Sequence, residues 1–274
     1  MNQNRYTISQ FLKSDPIYYK IIFSYLLMAG FSFILYYFLV STGVKIDPFV
    51  ESKESLKNIY YLAGGVFIST FLMLTIFKFF KGSTKGLDLI ITFIGFETLF
   101  SILNITFIGF VLSILVCTVK YYATQNKLIK NFSMILVTST FATLIGYSIS
   151  FLPLLIFALI LGIYDYIAVY KTKHMVYMAK NIKETNYIFT IALLYNKKAL
   201  DIGSGDFAIP LTLVISALFV NLYLAIAILV LSIIMLCVTI FLLLNKKEGE
   251  KVIPALPLQV ISSLIVYILF LAIF

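Results

Sequence analysis

Long apolar runs separated by short basic segments set the pattern of this chain. A transmembrane helix needs about 20 predominantly apolar residues. Ile21–Val40 is the first such run, and it follows the polar stretch Met1–Lys20. That stretch is too long and too polar for a secretory leader and precedes no small-residue cleavage site, so the first span is expected to be retained. The second run is Ile59–Phe80. Leu87–Tyr122 is apolar for 36 residues, or about 54 Å as a single helix, too long for one crossing. It divides near Asn104 into two spans. Phe132–Tyr170 divides in the same way near Ser148–Ser150, and Leu200–Val220, Leu222–Leu244 and Val252–Phe274 complete a set of nine. One patch is left over, Tyr187–Tyr195 (YIFTIALLY). It is too short to cross the hydrocarbon as a helix, and its aromatic and β-branched content suits a strand or an interfacial segment.

Composition removes the soluble classes. Of the 274 residues, 61% are hydrophobic and 12% charged, and the mean hydropathy is +1.02. A soluble domain carries about 25% charged residues. The expected fold class is therefore an all-α polytopic membrane protein. The net charge of +9 would suggest nucleic acid as a partner in a soluble protein. Here the basic residues cluster between spans, which points to topology and to no nucleic acid. With the N-terminus cytosolic and the C-terminus extracytosolic, eighteen of the 21 basic residues fall in cytosolic segments. The other three, Lys45, Lys53 and Lys57, lie in a first external loop with Asp47, Glu51 and Glu54 that carries no recognisable chemistry. Cys117 and Cys237 lie inside apolar runs without metal-ligand spacing, so neither a disulfide nor a metal site is expected.

Ionisable residues inside spans are functional hypotheses by default. Asp88 sits at the cytosolic end of span three beside Lys85 and reads as a solvated helix end. Glu97 is mid-span and reads as structural, facing a polar cavity or paired with a hydroxyl such as that of Thr98 or Ser101. Asp201 lies beside Lys197 and Lys198 at the interface, and His174, the only histidine, lies in a basic loop. Asp165 and Asp206 differ because their depths match. Asp165 is about five residues from the cytosolic end of span six and Asp206 about six from that of span seven, so both lie roughly 7–9 Å below the same surface. Two consecutive antiparallel helices then bring two carboxylates together. Tyr164 offers a hydroxyl beside Asp165, and Gly162 lets a neighbouring backbone approach. Gly203 and Gly205 do the same beside Asp206. Span nine opens with Pro254, Ala255, Leu256 and Pro257. The prolines withhold backbone donors, and carbonyls left open at membrane depth are tolerated where they line a polar cavity.

These residues resemble the presenilin and signal peptide peptidase family of GxGD intramembrane aspartyl proteases. The resemblance rests on Tyr164-Asp165, Gly203-Ser204-Gly205-Asp206 and Pro254-Ala255-Leu256, in the family order on the sixth, seventh and ninth spans. Ile163–Met175 looks especially like the archaeal-type homologues, which implies a multi-pass protein of a prokaryotic cell membrane. Ser204 departs from the leucine common at that position, a difference that bears on substrate preference. The loop from Lys171 to Ala199 is short beside that of eukaryotic presenilin, so maturation by cleavage there is not expected. Prepilin peptidases also use GxGD but have fewer spans and lack the proline-alanine-leucine element. The resemblance implies a single integral membrane domain of two parts. Residues 1–148 (spans one to five) are scaffold, and 149–274 are catalytic and include the cytosolic loop 171–199.

The chemistry so implied needs no cofactor and no nucleophilic serine or cysteine. Asp165 and Asp206 are the catalytic residues, and one carboxyl takes a proton from water while the other gives one to the scissile carbonyl. Tyr164, Gly203, Ser204, Gly205, Pro254, Ala255 and Leu256 shape the site. The partners are transmembrane segments of substrate proteins and membrane lipid. A substrate helix must unwind before hydrolysis, and either Tyr187–Leu194 or Ala199–Ser204 offers it a strand edge. The competing class is an ion channel or transporter using the same buried acids. Against it stand the lack of an inverted repeat and of any Lys or Arg deep in a span.

Overall fold

The structure, a computed structural model, describes residues 17–44, 52–79, 84–123, 126–172, 190–195, 198–245 and 253–273. Expectations that fall on His174, on Tyr187–Phe189 and on Val252 lie outside the described residues. Nine helices and one two-stranded hairpin make up the described part, in the order α1 (Ile17–Thr42), α2 (Lys57–Phe79), α3 (Thr84–Ile102), α4 (Thr106–Tyr122), α5 (Lys127–Ser148), α6 (Phe151–Tyr170), β1 (Thr190–Tyr195), β2 (Lys198–Gly203), α7 (Gly205–Ala217), α8 (Leu222–Leu244) and α9 (Leu256–Ile273). Five of these helices, α1, α5, α6, α8 and α9, are long and apolar enough to cross a membrane, and α4 and α7 are apolar but shorter.

Both long apolar runs break where their polar residues fall. Asn104 turns the chain between α3 and α4 with φ 59°, a left-handed conformation that asparagine tolerates better than most residues. Ile149 and Ser150 are extended between α5 and α6. Helix starts follow local capping chemistry. The Asn126 side chain accepts the Leu128 amide at α5, and Asn221 accepts the Tyr223 amide at α8. Pro254 and Pro257 hold back the last helix until Leu256, four residues after the expected start at Val252.

The seventh expected span departs furthest from expectation. Leu200–Val220 reads as one helical span, yet its first residues belong to β2 and the helix begins only at Gly205. Hydropathy is blind to this difference, because Leu200 and Ile202 are as apolar in a strand as in a helix. The result is a 13-residue helix at the centre of the bundle, packed against α1, α5, α6, α8 and α9. It reaches its place on the end of a hairpin. Pro210 inside it has no N–H for the main-chain carbonyl of Asp206, one turn earlier.

Small residues let the helices close. Gly146 of α5 faces the Thr212 carbonyl of α7, and a Cβ at Gly146 would lie 2.7 Å from that oxygen. Between α1 and α5, Ser139 donates to the Met28 carbonyl at 3.1 Å and Ser32 to the Ser139 carbonyl at 3.3 Å. Such side chain to backbone bonds are a common means of joining helices where no hydrophobic effect drives association. The described end of the connection between α1 and α2 is also tied down. Lys53 donates to the Tyr147 carbonyl at 2.8 Å and lies over the Tyr147 and Phe219 rings, while Ser150 donates both its amide and its hydroxyl to the Lys53 carbonyl. Partial burial lowers the pKa of the Lys53 ammonium.

Candidate active site

Asp165 lies one turn and a half from the end of α6, and only 7% of its surface is exposed. The main-chain amides of Leu256 and Ala255 reach its carboxyl. Its Oδ2 is buried with no hydrogen-bond partner among the described residues. Gly162, one turn earlier on α6, makes this approach of α9 possible, since a Cβ there would lie 3.5 Å from the Pro257 Cα. The two motifs, Tyr164-Asp165 and Pro254-Ala255-Leu256, are therefore in contact through backbone. Pro254 and Ala255 are buried beside them.

Asp206 is the second residue of α7, half-buried, at the positive end of the helix dipole. Asp165 lies within electrostatic reach of it. Gly203 packs under this carboxylate, and a Cβ at Gly203 would stand 3.5 Å from Asp206 Oδ2. Around a Cβ placed at Gly205 there is open space. Ser204 occupies the helix N-cap, but its hydroxyl makes no capping bond, and its carbonyl accepts from Phe207 and Ala208. Directly after Asp206, the Phe207 ring is fully buried against Tyr25 of α1, with centroids 5.5 Å apart. Tyr164 turns its ring edge-on to Phe67 of α2 at 5.3 Å. Among the described residues no three His, Cys, Asp or Glu side chains gather into a metal-binding group.

The hairpin leads into this site. Its strands are antiparallel, with Ala192 opposite Asp201 and Thr190 opposite Gly203. Asn131, in the first turn of α5, pairs with Ala192 as a strand residue would. Its Oδ1 accepts the Ala192 amide and its Nδ2 donates to the Ala192 carbonyl, both at 2.9 Å. Ala192 therefore directs both backbone groups away from β2. In an antiparallel pair the residues of one register position point the same way, alternating along the strand. Asp201, and with it Ala199 and Gly203, thus present their amides and carbonyls on the outer edge of β2. Among the described residues no backbone bond from another element covers that edge.

Two readings of charge need correction. Asp88 is not a solvated helix end, and a basic residue does lie inside the bundle. Lys120 of α4 meets Asp88 Oδ2 at 2.8 Å, with the two side chains 4% and 2% exposed. It also donates to the Thr92 hydroxyl at 2.7 Å. Each residue sits near the end of its helix beside polar neighbours, so both look solvated until α3 and α4 are packed together. Glu97 is half-buried mid-helix, and the Thr98 hydroxyl donates to the Ile94 carbonyl of its own helix. Asn131 was passed over because its partner is a main-chain group, to which side-chain letters give no clue. Gln259 was passed over too. It is fully buried one turn into α9, with neither side-chain amide atom partnered among the described residues.

Comparison with known proteins adds the family. The family described as signal-peptide peptidase, presenilin aspartyl protease matches residues 26–232. No curated protein matches the chain significantly. Two solved structures of a presenilin family intramembrane aspartate protease, in C222 and P2 space groups, share the fold. The first aligns at 17% identity over 93% of this chain and 99% of that one, with a TM-score of 0.64. The second aligns at 18% identity over 93% and 97%, with a TM-score of 0.67.

Proposed function

The chain belongs to the signal-peptide peptidase and presenilin family of aspartyl proteases, and from that membership we propose that Asp165 and Asp206 are the catalytic pair with which it cuts transmembrane segments of other proteins. It is a multi-pass integral membrane protein and an aspartic endopeptidase of the intramembrane-cleaving kind. The observation that supports the assignment is that the Ala255 and Leu256 amides reach the Asp165 carboxyl while Asp165 lies within electrostatic reach of Asp206. Water held between the carboxyls is the nucleophile. One carboxyl removes its proton as it attacks the scissile carbonyl, and the other protonates that carbonyl oxygen. As the resulting diol collapses, the carboxyl that took the water proton gives it to the leaving nitrogen, and the other takes a proton back from a diol hydroxyl, so the pair again holds one proton.

A helical substrate hides its amides in its own hydrogen bonds, and an unsatisfied peptide group in hydrocarbon costs several kcal/mol. Strand addition on the outer edge of β2 replaces part of what unwinding removes. The outward groups of Ala199, Asp201 and Gly203, uncovered among the described residues, support this reading of the edge, the second of the two that the sequence left open. Gly203 has no side chain to hold a substrate strand away from Asp206. Pro254, Ala255 and Leu256 face the substrate from the other side, and Ser204 tunes which side chains are accepted. Tyr164 shapes the α2 side of the site through its contact with Phe67. The nine helices span a prokaryotic cell membrane, with the N-terminus cytosolic, the C-terminus on the far side and lipid around them. The basic segments support this orientation.

Asp165→Asn and Asp206→Asn should each abolish cleavage of a single-span model substrate, with both proteins still folded. Product formation by either variant would rule out a mechanism that needs both carboxyls.

A further inference from the structure

We propose that Asn131 is a positioning residue that sets which peptide bond is cut, by clamping the hairpin to α5 at Ala192. The inference rests on strand addition to β2 and goes beyond it. A primary carboxamide carries one donor and one acceptor side by side, as a strand residue does. Only one orientation of the Asn131 amide satisfies both the N–H and the C=O of Ala192, so the two 2.9 Å bonds define a single pose. Asn131 thus acts as a third strand one residue long.

Its neighbour strengthens the clamp on the same register position. Lys130 donates to the Thr190 hydroxyl at 3.3 Å and lies within electrostatic reach of Asp201, the residue opposite Ala192. Two consecutive residues of α5 therefore hold β1, and Lys130 also attracts Asp201 of β2. The inner side of β1 is anchored as well, because Ile191 and Leu193 are buried in the main core. Helix α5 is itself packed on α1, α3 and α7.

The site needs such a clamp because its two carboxylates lie on different elements. Asp206 follows β2 by three residues, but Gly203 and Gly205 flank the joint, and a Cβ at Gly205 would touch nothing within 4 Å. The chain link alone does not fix the tilt of β2 against α6, where Asp165 sits. A substrate strand bonded to Ala199, Asp201 and Gly203 is indexed to Asp165 only if the hairpin is held from outside, and Asn131 holds it. Loss of the clamp lets the substrate strand slip. Since the side-chain period of a strand is two residues, slips that keep the same face outward move in steps of two.

The test uses the full chain in detergent or bicelles, with one single-span substrate, product masses, and kcat and KM. Asn131→Leu removes both bonds, and Asn131→Asp keeps the acceptor at the same size while losing the donor. Expected are new products displaced by two residues and a kcat lowered about tenfold or more, with KM within about twofold. Asp201→Pro removes the outward amide of β2 where an edge strand tolerates proline, and Asp201→Ala measures separately what the side chain contributes. Cleavage lower in folded Asp201→Pro than in Asp201→Ala, with unchanged products and kcat in a folded Asn131 variant, overturns the clamp and leaves strand addition standing. Unchanged cleavage in Asp201→Pro overturns strand addition itself. If Asn131→Leu does not yield folded protein, Asn131→Asp decides by the same criterion.

Discussion

Replacing Lys120 by methionine removes one half of a buried ion pair while keeping nearly the same side-chain length and volume. In the parent, the ammonium lies 2.8 Å from Asp88 Oδ2, 2.7 Å from the Thr92 hydroxyl and 3.9 Å from the Met134 sulfur. Asp88 Oδ1 already has no partner among the described residues. Without Lys120 the carboxylate is left with neither oxygen paired, in a place where 2% of its surface is exposed. Leaving one buried charge uncompensated costs about 3–5 kcal/mol. Because no cavity opens, little is added from packing. A loss of about 4 kcal/mol is roughly a thousandfold change in the folded ratio. For a chain of this size it lowers the melting temperature on the order of 10 °C.

The second half of the prediction separates charge from packing. Asp88→Leu combined with Lys120→Met exchanges the pair for apolar side chains, an exchange that is often neutral or stabilising by about 1–4 kcal/mol. The double variant should therefore recover most of what Lys120→Met loses. Retention of a monodisperse size-exclusion peak after stepwise heating in detergent measures both. Cleavage per folded molecule should stay close to the parent value, since none of the contacts of Lys120 and Asp88 among the described residues reaches Asp165 or Asp206. A melting point for Lys120→Met within about 2 °C of the parent, or a double variant weaker than the single one, would refute the reasoning.

Two further outcomes follow from contacts near Asp165. Gly162→Ala places its Cβ in ordinary contact with Pro257, 3.5 Å from the Cα, and should retain cleavage. Gly162→Val adds two further carbons that must push α9 away, and a misplacement on the order of 1 Å should lower kcat about a hundredfold, measured with the same single-span substrate. Gln259→Leu removes two buried polar atoms that have no partner among the described residues and should leave the chain as stable or more stable by about 1 kcal/mol. A loss of more than about 1 kcal/mol in the same heating assay would mean that the amide is paired in the folded protein.

What could be read from the sequence divides according to where each residue's partner lies. Hydropathy measures a segment against lipid, so it found α1, α5, α6, α8 and α9 and placed the breaks at Asn104 and Ser148–Ser150. It was blind wherever the partner is another part of the chain. Leu200–Gly203 joined α7 in the apolar run, and only pairing with β1 makes it a strand. Asp88 and Lys120 are 32 positions apart, and each resembles a solvated helix end until two helices bring them together. Asn131 bonds to a main chain, which is the same at every position of a sequence. Asp165 and Asp206 stand out in the sequence for a physical reason, since a carboxylate in an apolar run is costly wherever it points. The matching of their depths took Leu200 as the start of a helix, whereas α7 begins at Gly205 and Asp206 is its second residue. The residues that steer the site carry no such penalty. Lys120 and Lys130 counted toward topology because basic residues are ordinary at a membrane surface, yet both are engaged inside the bundle. Basic residues at helix ends therefore report orientation and packing together. The part of the chain read as scaffold supplies, through Lys130 and Asn131, the contacts that hold β1, the partner of the strand leading to Asp206.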